Sequence, residues 1–137
     1  IYHQVIVIIL LLLFFQTTIT LSPRVTSEVR DAIKKCCPSK NTYNEIIRII
    51  RAGEYKSDPE FEGYIHCVYK EAGYLHDDGR VNVWKAASVF PDKVRMFKIL
   101  TECNKNVGEN VIKTTSNMFA CFQKNSIFRV ISVKYNV

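Results

Sequence analysis

Apolar and polar residues follow two different regimes along this chain. Residues 1–15, IYHQVIVIILLLLFF, contain no Asp, Glu, Lys or Arg, and Val5 to Phe15 is an unbroken apolar run of eleven. Beyond it, apolar residues recur at helical spacing, and no segment alternates strictly enough to make a convincing strand.

That spacing predicts six short helices. The first covers about Ser27 to Cys37, with a polar start and Pro38 as its stop. The second is YNEIIRIIRA, in which Ile46, Ile47, Ile49 and Ile50 supply a broad apolar face before Gly53 ends it. The third has the clearest start: Asp58 as cap, Pro59 at the first helical position, Glu60 and Glu62 in the first turn. It runs to about Ala72, with Gly73 as a left-handed stop. DDGRVN is a turn, because Asp78-Gly79 favours the positive φ that only glycine adopts without strain. Asn82 caps a short helix reaching about Ser88, and Pro91 separates it from the next. The fifth, about Asp92 to Asn104, aligns Val94, Phe97, Leu100 and Cys103. The sixth, about Glu109 to Lys124, aligns Ile112, Thr115, Met118, Phe119 and Phe122. The tail SIFRVISVKYNV alternates weakly and is read as an extended segment over the bundle. With no repeat, linker or low-complexity tract, the expectation is one all-α domain.

The N-terminal run is too short for a membrane span, which needs about 20 apolar residues. It fits the core of a secretory signal peptide over residues 1–20, with Thr18 and Thr20 as the small residues before cleavage. The missing methionine and basic flank are read as an incomplete start. The alternative is a buried core helix. Residues 21–137 then form the helical domain.

Charge and cysteines narrow the picture. The net charge of +6 falls entirely after the apolar run, but its lysines and arginines are scattered and never more than two together. No basic stripe is interleaved with aromatics, so no nucleic acid is expected as a partner and the excess reads as solvated surface. Five cysteines, Cys36, Cys37, Cys67, Cys103 and Cys121, read as a disulfide framework with one thiol left over. Four of them allow three pairings, and spacing does not choose. No C-x-x-C or H-x-x-x-H pair is present, so no metal and no cofactor are expected. No N-x-S/T sequon occurs either. The apolar content is high for so small a domain. Trp84, Phe90, Phe97 and Phe119 either fill a core or leave part of their surface to a cavity.

The cysteine pattern resembles that of the insect odorant-binding proteins, which include the pheromone-binding proteins. That family has six cysteines, with three residues between the second and third and eight between the fifth and sixth. Cys67, within YIHCVYKEAGYLHDDGRVN, resembles the third; Cys36, Cys103 and Cys121 resemble the first, fourth and sixth. The second and fifth places fall on Gly63 and Ile112. The family joins those two, so one whole bridge is missing, as in the C-minus type. The resemblance implies bridges Cys36–Cys67 and Cys103–Cys121, with Cys37 as an alternative to Cys36.

The family's fold and role follow as expectations: a helical bundle stapled by two disulfides around a hydrophobic cavity, in an extracellular carrier of odorants, pheromones or related lipophiles. The implied partners are a small hydrophobic ligand and a membrane odorant receptor, the protein being a monomer or weak dimer. The inward candidates for ligand contact are Tyr64, Val68, Trp84, Phe97, Leu100, Thr115, Met118 and Phe119, each of which reads equally as core. Tyr64 and Thr115 are the candidate hydrogen-bond donors, and Met118 the adaptable wall. His66 and His76 are candidates for acid-triggered release. Ile112 is expected to pack over Gly63, leaving the third and sixth helices joined by packing alone.

No enzyme is expected. A secreted helical enzyme of this size would most naturally resemble phospholipase A2, where a cysteine pair precedes a catalytic His-Asp; here Cys36-Cys37 precedes PSKNTY. The alternative is a secreted salivary or venom-type protein acting through its basic surface.

Overall fold

The computed structural model describes the backbone of residues 1–15, 18–19, 23–125 and 129–130, and the side chains of residues 1–10 and 27–125. Seven helices are present among them: α1 (Tyr2–Phe15), α2 (Pro23–Cys36), α3 (Lys40–Ala52), α4 (Pro59–Glu71), α5 (Val83–Ala87), α6 (Lys93–Cys103) and α7 (Val111–Asn125). Six of them, α2 to α7, make the domain. The two-residue strands β1 (Thr18–Ile19) and β2 (Arg129–Val130) pair in parallel. Of the tail, only Arg129–Val130 lies within the described residues; this pairing and an isolated antiparallel bridge between Leu75 and Val81 depart from a purely helical reading among the described residues.

Capping explains most helix ends. Ser39 accepts from the Thr42 backbone N–H at 3.2 Å and starts α3 three residues earlier than its apolar pattern suggests. Gly53, at φ 70°, ends α3 by donating to the Ile49 and Ile50 carbonyls. Asp58 accepts from Glu60 N at 2.9 Å, with Pro59 behind it, as expected for α4. Asn82 and Asp92 cap α5 and α6. In the turn before α5, Gly79 has φ 87°, and a Cβ there would stand 2.4 Å from the Val111 carbonyl oxygen. Only glycine fits. Asn104, at the end of α6, closes this turn from the other side. Its Oδ1 accepts from Val81 N at 3.0 Å and its Nδ2 donates to Val81 O at 2.8 Å.

Two disulfides staple the bundle. Cys36–Cys67 joins α2 to α4, and Cys103–Cys121 joins α6 to α7. Cys37 stays a free thiol, half-buried. Each bridge closes a loop that would cost roughly 3 kcal/mol or more of chain entropy to hold together otherwise. α4 also packs on α7, without a covalent link.

The core forms two clusters. The smaller holds Ala32, Ile33, Tyr43, Ile47 and Val68, from α2, α3 and α4. The larger runs from Ile46 and Ile49 through Phe61 and Ile65 to Met96, Leu100, Met118 and Phe119. α1 joins neither: residues 1–10 are all exposed. The side chains of residues 1–10 thus bury nothing against the domain. No described helix is long and apolar enough to cross a membrane.

Candidate ligand cavity

A cavity of about 140 Å³ lies where the two core clusters fail to close on each other. Its wall takes residues from every helix of the domain. α2 gives Val29 and Ile33, α3 gives Ile47 and Ile50, and α4 gives Ile65, Val68 and Tyr69. Leu100 comes from α6, and Phe119, Phe122 and Gln123 come from α7. On α4 and α7 these are i, i+3, i+4 sets, so a single helical row faces the space. Left empty, a void of that size costs roughly 3 kcal/mol. A domain of about 100 residues holds a total stability of only about 5–15 kcal/mol. A concave, largely apolar wall with few polar groups has the character of a candidate small-ligand site.

Four lining residues carry polar tips. Arg51, the only charged one, is exposed to solvent. Gln123 spends its amide nitrogen on the end of α3, donating to the Glu54, Ile50 and Ile49 carbonyls at 3.0, 3.3 and 3.5 Å. Tyr69 and Tyr74 complete the set. Burial pushes both phenols above their ordinary value, and each raises further beside a neighbour, Tyr74 for Tyr69 and Glu28 for Tyr74. Both are neutral hydroxyls in the physiological range.

Of the eight candidates from the sequence, Val68, Leu100 and Phe119 line the cavity. The other five lie elsewhere, each for a physical reason. Tyr64 sits one residue off the Ile65–Val68–Tyr69 row and donates its hydroxyl to Glu60 at 2.6 Å on the surface. Trp84 is 76 % exposed and stacks on Phe97 at 4.5 Å between ring centroids, away from the wall. Met118 is wholly buried in the larger cluster. Thr115 is buried but its hydroxyl is committed, donating to the Gly79 carbonyl at 2.8 Å. A hydroxyl has one hydrogen, so the His66 Nδ1, 3.1 Å away, must be the donor to Thr115 Oγ1. His66 thereby braces α4 against α7, and His76 stands exposed in the turn; neither lines the cavity.

The expected packing of Ile112 over Gly63 does not occur. A Cβ built at Gly63 meets nothing within 4 Å, and Ile112 is 43 % exposed. The α4–α7 seam is not held by packing alone either, since Lys113 pairs with Glu62 across it. Residues missed by the sequence reading, among them Tyr69, Phe122 and Gln123, were visible as the partners at i+1, i+3 and i+4 of Val68 and Phe119. Which of two adjacent apolar rows faces the void depends on how the helices are rotated, which one row cannot reveal.

Residues 19–125 match the model of the PBP/GOBP family. The chain belongs to this insect odorant-binding protein family. No curated protein and no solved structure gives a significant match. The family is one of secreted binders and carriers of small hydrophobic ligands rather than enzymes, and its all-α fold, bridged by disulfides, is the one seen here.

Proposed function

We propose that this chain is an extracellular carrier that takes odorants, pheromones or related lipophiles into the cavity between α2 and α7 and moves them through an aqueous secretion such as sensillum lymph. The observation that carries the reading is a void walled almost entirely by apolar side chains inside a helical domain of the PBP/GOBP family. Apolar burial drives uptake, and the low polarity of the wall leaves shape as the main filter. The apolar run at residues 1–15 supports export as a cleaved signal segment, and two disulfides suit an oxidising compartment.

The test is displacement of a fluorescent apolar probe from residues 21–137, refolded with both bridges formed. Saturable one-site binding, competed by small volatile organics and insensitive to salt, supports the carrier. No probe binding, together with association to acidic macromolecules that collapses as salt rises, would transfer the reading to a secreted interaction protein acting through its basic surface.

A further inference from the structure

The cavity contains a polar group that the fold does not use. Arg51 is exposed to solvent, and the Gln123 amide nitrogen is consumed by three carbonyls. Tyr74 has its ring under the Lys85 ammonium, 5.1 Å from the centroid, and its phenol within the field of the exposed Glu28 carboxylate. Tyr69 differs from Arg51 and Gln123, and from Tyr74 in that no cation covers its ring. It comes off α4 in the same row as Ile65 and Val68, and its ring stands edge-on to Phe119 at 6.2 Å, one cavity wall against the other. Among the described residues nothing donates to its hydroxyl or accepts from it. Tyr69 is half-buried, so its hydroxyl in this largely apolar wall keeps its capacity to donate and accept for a ligand oxygen.

Size adds a second constraint. An apolar cavity of about 150 Å³ in another protein accommodates benzene, and this one measures about 140 Å³. The space suits one ring, or a short chain of similar bulk.

Resting on the carrier reading, we propose that the Tyr69 hydroxyl is the polar anchor of the cavity, and that the preferred ligands are single-ring or similarly small molecules bearing one oxygen, such as phenols, aryl ethers and aryl ketones. The ring occupies the space between Phe119, Leu100 and the isoleucines, and the oxygen completes the hydrogen bond that Tyr69 lacks. A long chain would leave most of its length outside this space.

The experiment compares toluene and phenol, which differ by a methyl against a hydroxyl, on the disulfide-bonded protein and on its Tyr69→Phe and Tyr74→Phe variants by calorimetry or probe displacement. Tyr69→Phe is expected to weaken phenol roughly 3- to 10-fold, the worth of one hydrogen bond, while toluene binds as before. Retained toluene binding also shows that the variant is folded. Equal effects on both ligands, or loss of phenol affinity in Tyr74→Phe instead, would overturn the assignment to Tyr69. Tighter binding of a sixteen-carbon alcohol than of phenol would overturn the size class. If neither the probe nor any of these compounds binds the wild-type protein, it is the carrier reading that fails.

Discussion

Lys113 on α7 donates to both carboxylate oxygens of Glu62 on α4, at 3.1 and 3.2 Å. These two residues are the immediate neighbours of Ile112 and Gly63, the positions that the family pattern assigns to its missing cysteine pair. Where a covalent bridge would span α4 and α7, a charge pair does so one residue away. The two partners are unequal: the Glu62 side chain is 8 % exposed and that of Lys113 36 %.

The inequality makes the two deletions different. Glu62→Gln leaves an ammonium that turns into water at little cost. Lys113→Met leaves a carboxylate buried without its counter-charge, which is the more damaging change. At pH 7 the Lys113→Met melting temperature is expected to fall by several degrees and that of Glu62→Gln by about half as much. The pH dependence of the pair is read on the lysine side. The Glu62 carboxylate holds the Lys113 ammonium above its ordinary 10.5. The stability it adds is complete below that value and fades as pH rises through the raised one. Thermal melts of the two variants at pH 7 and 10.5 decide this; equal losses at pH 7 would refute the inequality.

Two glycines should respond to alanine in opposite directions. Gly63 sits inside α4 with open space where its Cβ would be. Gly63→Ala should therefore stabilise by about 0.5–1 kcal/mol through helix propensity alone. Gly79, at φ 87° and against the Val111 carbonyl, should lose at least about 1–2 kcal/mol on the same change. Urea midpoints of the pair at constant m-value provide the check.

These contrasts mark what the sequence makes legible. The caps Asp58 and Asn82, the stop at Gly53 and the turn glycine Gly79 are local devices, and local chemistry reveals them. The bridges became legible only through the family's pairing, because spacing alone leaves three choices. The cavity wall was half legible. Val68 and Phe119 lie on the inward rows, but Tyr64 and Met118 lie on neighbouring rows that are just as apolar. Thr115 was expected on an inward face and is buried there, with its hydroxyl donating to the carbonyl of Gly79. The Gly63–Ile112 contact failed because a vacated cysteine pair need not be refilled at the same two positions.

Cys37 adjoins the bridged Cys36 and competes with it for Cys67 on sequence grounds. In the fold it packs against both core clusters, and burial pushes its thiol up to about 11. Little thiolate forms at pH 7.5, so alkylation by iodoacetamide should run more than tenfold slower than for free cysteine. Cys37→Ser should keep both bridges, and Cys36→Ser should lose the α2–α4 bridge or force Cys37 into a shifted one. Disulfide mapping by mass spectrometry after proteolysis distinguishes these, and an unchanged melting temperature in Cys36→Ser would show that the two cysteines are interchangeable.

His66 is expected to give the stability of the fold a pH dependence. Burial, with Lys70 nearby, holds its imidazole below the ordinary 6.5. The folded protein thus binds fewer protons here than the unfolded chain. Its contribution is intact above about pH 6.5 and is lost as pH falls from there through the lowered value. A proton on Nε2 leaves the Nδ1–H donation to Thr115 in place, so the destabilisation is one of charge in a partly buried site rather than of a broken bond. His66→Asn, whose amide can keep the donation, should flatten the melting temperature between pH 6.5 and 5 by about 1–3 °C relative to wild type. Probe affinity at pH 5 should be the same in both proteins, because His66 does not line the cavity. A variant that still holds its probe at pH 5 while the wild type releases it would return His66 to the release mechanism.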